Sequence, residues 1–280
     1  MTTRVPRWLL ARRLTQLVVL FGFWAAARFG GEAWLRGNLS SAVVLDTVPL
    51  SDPFAVVQMW LAGHTVAASA LLGAAVVVGF YGFVGGRAFC GWVCPINPLT
   101  DLAAWLNRRF KLHGVVRLPR TTRWLALVGS LLLSLALSVA AFEWISPVGV
   151  AHRAVVYGLA GGWTVLAAVV LFDLFIVERG VCGHLCPLGA FHHLVGARPA
   201  VRVRFDAQAC DDCMACHRIC PERQVLQPIL PGRPERALWV DGGACLNCGR
   251  CIDVCSPGAL RFGLRAPLVN LSSSPSRRTP

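Results

Sequence analysis

Two runs of cysteine govern what this chain can become. The first reads Cys210-x-x-Cys213-x-x-Cys216-x-x-x-Cys220-Pro221, and the second reads Cys245-x-x-Cys248-x-x-Cys251-x-x-x-Cys255-Ser256-Pro257. Three thiolates at two-residue gaps can wrap one face of an iron-sulfur cube. The fourth, three residues on and turned away by the proline, reaches the neighbouring cube. One [4Fe-4S] cluster is therefore expected on Cys210, Cys213, Cys216 and Cys255, and a second on Cys245, Cys248, Cys251 and Cys220. Structural zinc fits less well, because it takes four ligands from two close pairs and has no use for eight at this spacing. Ser256 precedes the second proline, a change to that turn that removes no ligand. Cys213-Met214-Ala215-Cys216-His217 also matches the C-x-x-C-H signature of haem attachment. Both of its cysteines are already required by the longer pattern, so His217 reads as a surface residue beside a cluster.

The rest of the chain is too apolar for an ordinary soluble enzyme: 55% of its 280 residues are hydrophobic and only 15% charged, with a mean hydropathy of +0.58. A net charge of +13 could indicate nucleic acid, but the basic residues are scattered between apolar blocks and form no patch with interleaved aromatics. They read as topology signals, and no nucleic-acid partner is expected. Eight of the twelve cysteines are needed as free thiolates, which argues against a disulfide framework.

Four apolar blocks are candidate membrane spans. Arg4, Arg7, Arg12 and Arg13 precede the uncharged run Leu14 to Ala27, a start that resembles a twin-arginine export signal. The run can be extended toward Trp34 if Arg28 and Glu32, spaced i and i+4, pair at the interface, and a retained first span is the preferred reading. Thr65 to Phe83 and Trp124 to Phe142 each hold 19 uncharged residues, close to the ~20 that cross the hydrocarbon core. Val155 to Val177 contains one acid, Asp173. Between spans two and three lie Arg87, Arg108, Arg109, Lys111, Arg117, Arg120 and Arg123 against Asp101 alone. Because Lys and Arg stay on the cytoplasmic side, both termini and the cysteine-rich module are expected to face the cytoplasm of a bacterial inner membrane.

Outside the membrane, Asp52 is placed to cap a helix beginning at Pro53. Phe54, Val57, Trp60 and Leu61 then form a stripe that suits the membrane surface, or else the first turn of span two. An internal repeat is visible as well. Span two runs into Cys90-Gly91-Trp92-Val93-Cys94-Pro95 and span four into Cys182-Gly183-His184-Leu185-Cys186-Pro187, each preceded by an outer-face proline, Pro53 or Pro147. Cysteines at i and i+4 share one side of a helical turn. Bringing the halves together would gather four thiols, enough for another cluster or metal, for thiol exchange, or for a partner to dock on. The bland alternative is a pair of small buried residues at a tight helix exit.

From Val201 the pattern changes to alternation, so strands are expected at Val201 to Phe205, Ala237 to Val240 and Leu260 to Leu264. The domains read as a four-helix membrane domain over 1–197, a small α+β ferredoxin-like 2[4Fe-4S] module over 198–266, and a disordered tail over 267–280. An electron-transfer module fused to spans needs a lipid-soluble partner, and quinol is the natural one. The histidines cluster at the outer ends of spans or on the cytoplasmic side, so paired haem ligands within the bilayer are lacking. Quinol oxidation releases protons and needs acceptors. Asp173, one turn from the cytoplasmic end of span four, and Glu143, at the outer end of span three, are the candidates; for Asp173 the rival role is an ion pair with a loop arginine.

The same residues resemble a known family. Ala11-Arg12-Arg13-Leu14, the outer loop from Gly37-Asn38-Leu39-Ser40-Ser41 through Asp52-Pro53, Phe89-Cys90-Gly91-Trp92-Val93-Cys94-Pro95, Leu171-Phe172-Asp173-Leu174, Cys182-Gly183-His184-Leu185-Cys186-Pro187 and both cysteine runs are similar to the NapH/MauN family. The outer-loop wording favours its NapH branch. The resemblance implies a four-span quinol dehydrogenase component that takes electrons from ubiquinol or menaquinol. It would work with a periplasmic iron-sulfur partner, NapG, and feed periplasmic nitrate reductase. The MauN branch implies the alternative of a maturation or assembly factor for a partner redox enzyme. A redox sensor is a weaker third reading, since no output domain is evident.

Overall fold

The computed structural model describes residues 6–30, 34–112, 114–116, 118–232 and 235–265. Glu32, His113, Arg117 and the tail over 267–280 fall outside the described residues, so the expectations placed on them are not addressed by it.

In chain order, α1 (Arg7–Phe29) leads to an antiparallel meander of β1 (Leu35–Gly37), β2 (Ser41–Val44) and β3 (Val48–Ser51). Then come α2 (Pro53–Leu61), α3 (Ala68–Val84), α4 (Ala88–Trp92) and α5 (Ile96–Phe110). After α6 (Thr122–Leu137) and α7 (Ala141–Ile145), the pattern of the first half returns as α8 (Pro147–Tyr157), α9 (Ala160–Leu171), two π-helical turns (Phe172–Ile176 and Val181–Leu185) and α10 (Pro187–Val195). The C-terminal module is built from β4 (Val201–Phe205), α11 (Ala215–Ile219), α12 (Arg250–Asp253) and β5 (Leu260–Leu264).

All four apolar blocks fold as helix, but α1 alone among the described residues is long and apolar enough to cross a membrane. The third block stops at Leu137 rather than Phe142: Ser138 turns left-handed, and the Ser134 hydroxyl accepts from the Ala141 amide, folding the chain back. The fourth is split by Gly158, whose φ of 70° ends α8, a conformation glycine adopts at little cost. Leu14, Leu17 and Phe21 on α1, Leu72 and Phe80 on α3, Leu125 and Leu132 on α6, and Trp163 on α9 all point outward uncovered. A band of apolar side chains that large on a water-soluble surface would be exceptional.

Two further expectations are corrected. The helix after Asp52 does form with the Asp52 carboxylate accepting from the Phe54 amide, but its stripe is divided: Trp60 is exposed, while Phe54 turns into the bundle. Phe54 is completely buried, with its ring 5.7 Å from that of Phe142 and 5.4 Å from that of Phe191. Gln58 is buried beside it and accepts from the Phe142 amide at 2.9 Å. A helix apolar on most sides, with one glutamine aimed at an otherwise orphaned amide, is stable inside the bundle. The outer loop before it, with no strands expected, is the β1–β3 meander. Asn38 Oδ1 accepts from the Ser40 and Ser41 amides, and Leu45 and Asp46 both adopt positive φ, as a two-residue hairpin turn requires.

In the C-terminal module, β4 and β5 pair antiparallel over the expected residues, Val201 against Leu264 through Phe205 against Leu260. Ala237 to Val240 is not a full strand. It lies along β4 through the Phe205 amide to Leu238 carbonyl and Val240 amide to Val203 carbonyl bonds.

Candidate functional site

The two CxxxCP segments fold alike. In the first, the Cys94 amide donates to the Phe89 carbonyl and the Gly91 amide to Arg87; in the second, Cys186 donates to Val181 and Gly183 to Arg179. Each proline then opens a helix, Pro95 before α5 and Pro187 at the first position of α10, where a missing N–H costs nothing. The i→i+5 bond widens the turn and brings both cysteines of a pair onto its inner side. The halves converge, so that Cys182 lies within electrostatic reach of Cys94, Cys186 and Cys90. Burial pushes the Cys186 thiol up to about 12, so these four are neutral thiols unless something cationic binds them.

The eight cysteines of the two runs also assemble. Cys216 has Cys255, Cys210 and Cys213 as its thiol neighbours, while Cys220 has Cys248 foremost and also Cys216, and Cys251 has Cys248, Cys245, Cys220 and Cys216. The two runs are thus interleaved, with Cys255 reaching a thiol of the first run and Cys220 one of the second. The intervening chain makes this possible: the 3-10 turn Arg223–Ile229 buries Val225, Leu226 and Ile229 against Val203, Phe205, Val240 and Leu260, pulling the two runs over one core. Among the described residues no three Cys, His, Asp or Glu side chains converge as tightly as a single metal ion demands. All-thiol donor sets around a dry core suit [4Fe-4S] clusters.

Buried ion pairs bolt the module to the helices. Arg87 donates to Glu222 at 2.6 Å and to the Ala244 carbonyl at 3.3 Å, and its other nitrogen reaches the Cys182 carbonyl at 3.2 Å. Arg120 also pairs with Glu222. Asp101 on α5 gathers Arg12, Arg13, Arg179 and Arg250. Trp92 Nε1 donates to the Asn247 carbonyl at 2.9 Å, and Asn247 donates to Val84 and Val201. The four-thiol turn and the second cysteine run are therefore neighbours. Arg87 and Arg179 hold the same place before the first cysteine of each CxxxCP motif. Sequence reasoning counted Arg87 only as a loop charge and did not single out Arg179, whereas superposing the two repeats would have picked out both.

The two carboxylates expected to take protons are not together. Asp173 is buried, with one oxygen accepting from the Val181 amide at 3.1 Å and the other without a partner among the described residues. It borders the four-thiol group through Cys182, and no ion pair to it is found among the described residues. Glu143 accepts from the Ser40 hydroxyl at 2.8 Å and acts on Asp52.

Comparison with known proteins agrees with this geometry. The profile of a family described as a 4Fe-4S binding domain matches residues 66–113 and again 159–205, one copy on each CxxxCP repeat. A second 4Fe-4S binding domain profile matches residues 202–226, over the first cysteine run. Fold and thiols together define a ferredoxin-type iron-sulfur protein. The chain is 44% identical to the ferredoxin-type protein NapH of Haemophilus influenzae over 92% of its own length and 90% of that protein. It is 43% identical to NapH of Escherichia coli, covering 90% and 88%, and 45% identical to the methylamine utilization ferredoxin-type protein MauN of Methylorubrum extorquens, covering 82% and 80%. It belongs to the NapH/MauN family. No solved structure matches it.

Proposed function

We propose that this protein is the membrane subunit that oxidises quinol and passes electrons through iron-sulfur clusters toward a periplasmic nitrate reductase, with NapG as its iron-sulfur partner. The observation that carries the reading is the packing of both cysteine runs over one core directly against a bundle whose helices turn apolar faces outward. In this reading α1, α3, α6 and α9 are the four spans of the bacterial inner membrane. Residues 1–197 form the membrane domain and 198–266 the 2[4Fe-4S] module, and both termini and the module are cytoplasmic, as the loop charges require. Cys210, Cys213, Cys216 and Cys255 hold one cluster, and Cys245, Cys248, Cys251 and Cys220 the other. Bound clusters supply one-electron acceptors to a two-electron donor.

The chain's own residues do the rest. Arg87 and Glu222, fully buried, fix the module against the CxxxCP turns and keep water from that seam. Cys90, Cys94, Cys182 and Cys186 form a further thiol site on the route between bundle and module, able to take another cluster, as the family profile on both repeats suggests. Asp173 and Glu143 are the carboxylates offered for proton transfer, and the unpartnered oxygen of Asp173 beside Cys182 supports its part.

Membranes carrying the protein and its partner should show clusters reduced by a quinol analogue. Asp173→Asn should slow that reduction by roughly 10²-fold, the low end of what a positioned base contributes, with iron content intact. Unchanged turnover would remove Asp173 from the reaction. The similarity to MauN favours a second reading, an assembly factor for a partner redox enzyme. Quinol that leaves the clusters oxidised, in membranes where a partner enzyme fails to mature without this chain, would decide for it.

A further inference from the structure

We propose that the quinol head group sits in the apolar cavity between α1, α3 and the β1–β3 meander, with Asp52 and His192 receiving its two hydroxyl protons. The proposal rests on the quinol reading above and gives it a place. The cavity holds about 500 Å³, within the ~300–1,000 Å³ usual for small-molecule sites. Val19, Phe23, Leu39 and Val77 give it walls suited to a prenyl chain. Five polar residues line it, Asn38, Ser51, Asp52, Tyr81 and His192, and of these Asp52, Tyr81 and His192 are titratable. Asp52 and Tyr81 are each within electrostatic reach of Cys90, and the Tyr81 ring lies edge-on to His192 at 5.4 Å. An apolar chamber with a few convergent polar groups at its inner end matches an amphipathic ligand, ring inward and tail outward.

The polar end is also the end that faces the thiols. Phe89 and Val93 line the cavity; in the chain Phe89 immediately precedes Cys90 and Val93 immediately precedes Cys94. Phe89 stacks on His192 with ring centres 5.1 Å apart, fixing the imidazole at the wall. His192 is buried, and its Nδ1 has no partner among the described residues. Burial, helped by the nearby Arg87 charge, pushes it down to about 4, so it is a neutral imidazole with a lone pair to offer. Asp52 is half-buried, and one of its oxygens accepts from the Phe54 amide.

Two other cavities fit less well. One of about 540 Å³ is lined by Arg108, Lys111, Arg120 and Arg179, a charged wall for a neutral ring. Another of about 470 Å³ is walled by Leu10, Leu102 and Trp105, but of its two acids Asp101 is committed to arginines and Asp253 accepts from the Trp8 and Leu9 amides.

Quinol loses two O–H protons and two electrons and leaves as quinone. One proton goes to the Asp52 carboxylate and onward to Glu143, which acts on Asp52 from the outer side. The other goes to the His192 imidazole and onward to Asp173, which borders the thiol group through Cys182. The two electrons pass, past Phe89 and the Cys90 turn, to the iron-sulfur centres of the proposed function.

The test is quinol-dependent reduction of the clusters in membranes holding the full chain and its partner, with dithionite-reducible iron as the control. Asp52→Asn keeps a side chain that caps a helix equally well but cannot take a proton. It should slow reduction about 10²-fold or more at unchanged iron content. Gly22 lines the same cavity, and a Cβ there makes only an ordinary contact with Leu35 Cδ2 at 3.6 Å, so Gly22→Leu branches from an unobstructed position and takes up cavity space. It should raise the quinol concentration for half-maximal reduction about tenfold. A photoreactive azidoquinone should label α1 and α3 peptides around Gly22 and Val77 in the wild type and lose that label in Gly22→Leu. Wild-type rates and half-saturation in both variants, or label elsewhere, would overturn the site while leaving the quinol reading standing. Wild-type clusters that dithionite reduces and quinol does not would overturn the reading and the site together. Should Asp52→Asn lose iron, Gly22→Leu and the label decide alone.

Discussion

The fourth cysteine of each run is the residue on which cluster identity turns. In the proposed crossed assignment Cys255 joins Cys210, Cys213 and Cys216, and Cys220 joins Cys245, Cys248 and Cys251. Replacing Cys220 by Ser should therefore cost the cluster held by Cys245, Cys248 and Cys251 and spare the other, removing about half of the module's iron, and Cys255→Ser should do the reverse. Electron paramagnetic resonance of the two variants separates these cases, since an uncrossed arrangement would exchange the outcomes. The crossed pattern is the expectation that the spacing sets, and these variants test it. The part proposed for Asp52 was not legible in the chain: it reads there as a helix cap and does cap one. Nothing local shows that its carboxylate also borders a cavity with Tyr81 and His192. His192 likewise counted only as one histidine on the cytoplasmic side.

At the scale of elements, the two repeats meet backbone to backbone. Gly86, just past α3, and Gly196, just past α10, approach so closely that a Cβ on Gly86 would collide with the His192 carbonyl and one on Gly196 with the Gly86 amide. Backbone cannot rotate aside as a side chain can. Gly86→Ala or Gly196→Ala should each lower stability by about 1–3 kcal/mol, the range for overpacking, read as a drop in unfolding temperature in detergent. A change within experimental error would mean that the halves are free to separate there. Helix limits show the same dependence on context. The third apolar block ended early because Ser134 and Gln58 offer acceptors to Ala141 and Phe142, and the fourth broke at Gly158. Hydropathy marks a stretch that can be helical, but caps and tertiary acceptors choose where it stops.

For the whole molecule, the question is what holds the cysteine module to the bundle. Asp101 is one acid among Arg12, Arg13, Arg179 and Arg250, and Glu222 is another beside Arg87 and Arg120. Asp101→Asn strands buried guanidinium groups, and breaking a buried pair from one side costs about 3–5 kcal/mol. The module should become protease-sensitive in that variant. Burial alone would push the Asp101 carboxyl up, but Arg250 and Arg179 outweigh it and hold the group below the usual carboxylate range. With the folded value depressed, its stabilisation is present above the unfolded value of ~3.9 and is lost as pH falls through the lower folded value. Limited proteolysis across mildly acidic pH should therefore show a docked module. Release well above pH ~4 would point to a different anchor.

Ligand spacing, the CxxxCP repeat, the two edge strands of the module and the capped helix at Pro53 were all determined by the sequence, because each depends on bonds between residues a few positions apart. The tertiary structure alone decided that α2 enters the bundle, that four thiols from two halves converge, and that Asp52, Tyr81 and His192 share one chamber. Those arrangements join residues far apart in the chain, and their energy comes from burial and close packing, which no local pattern encodes.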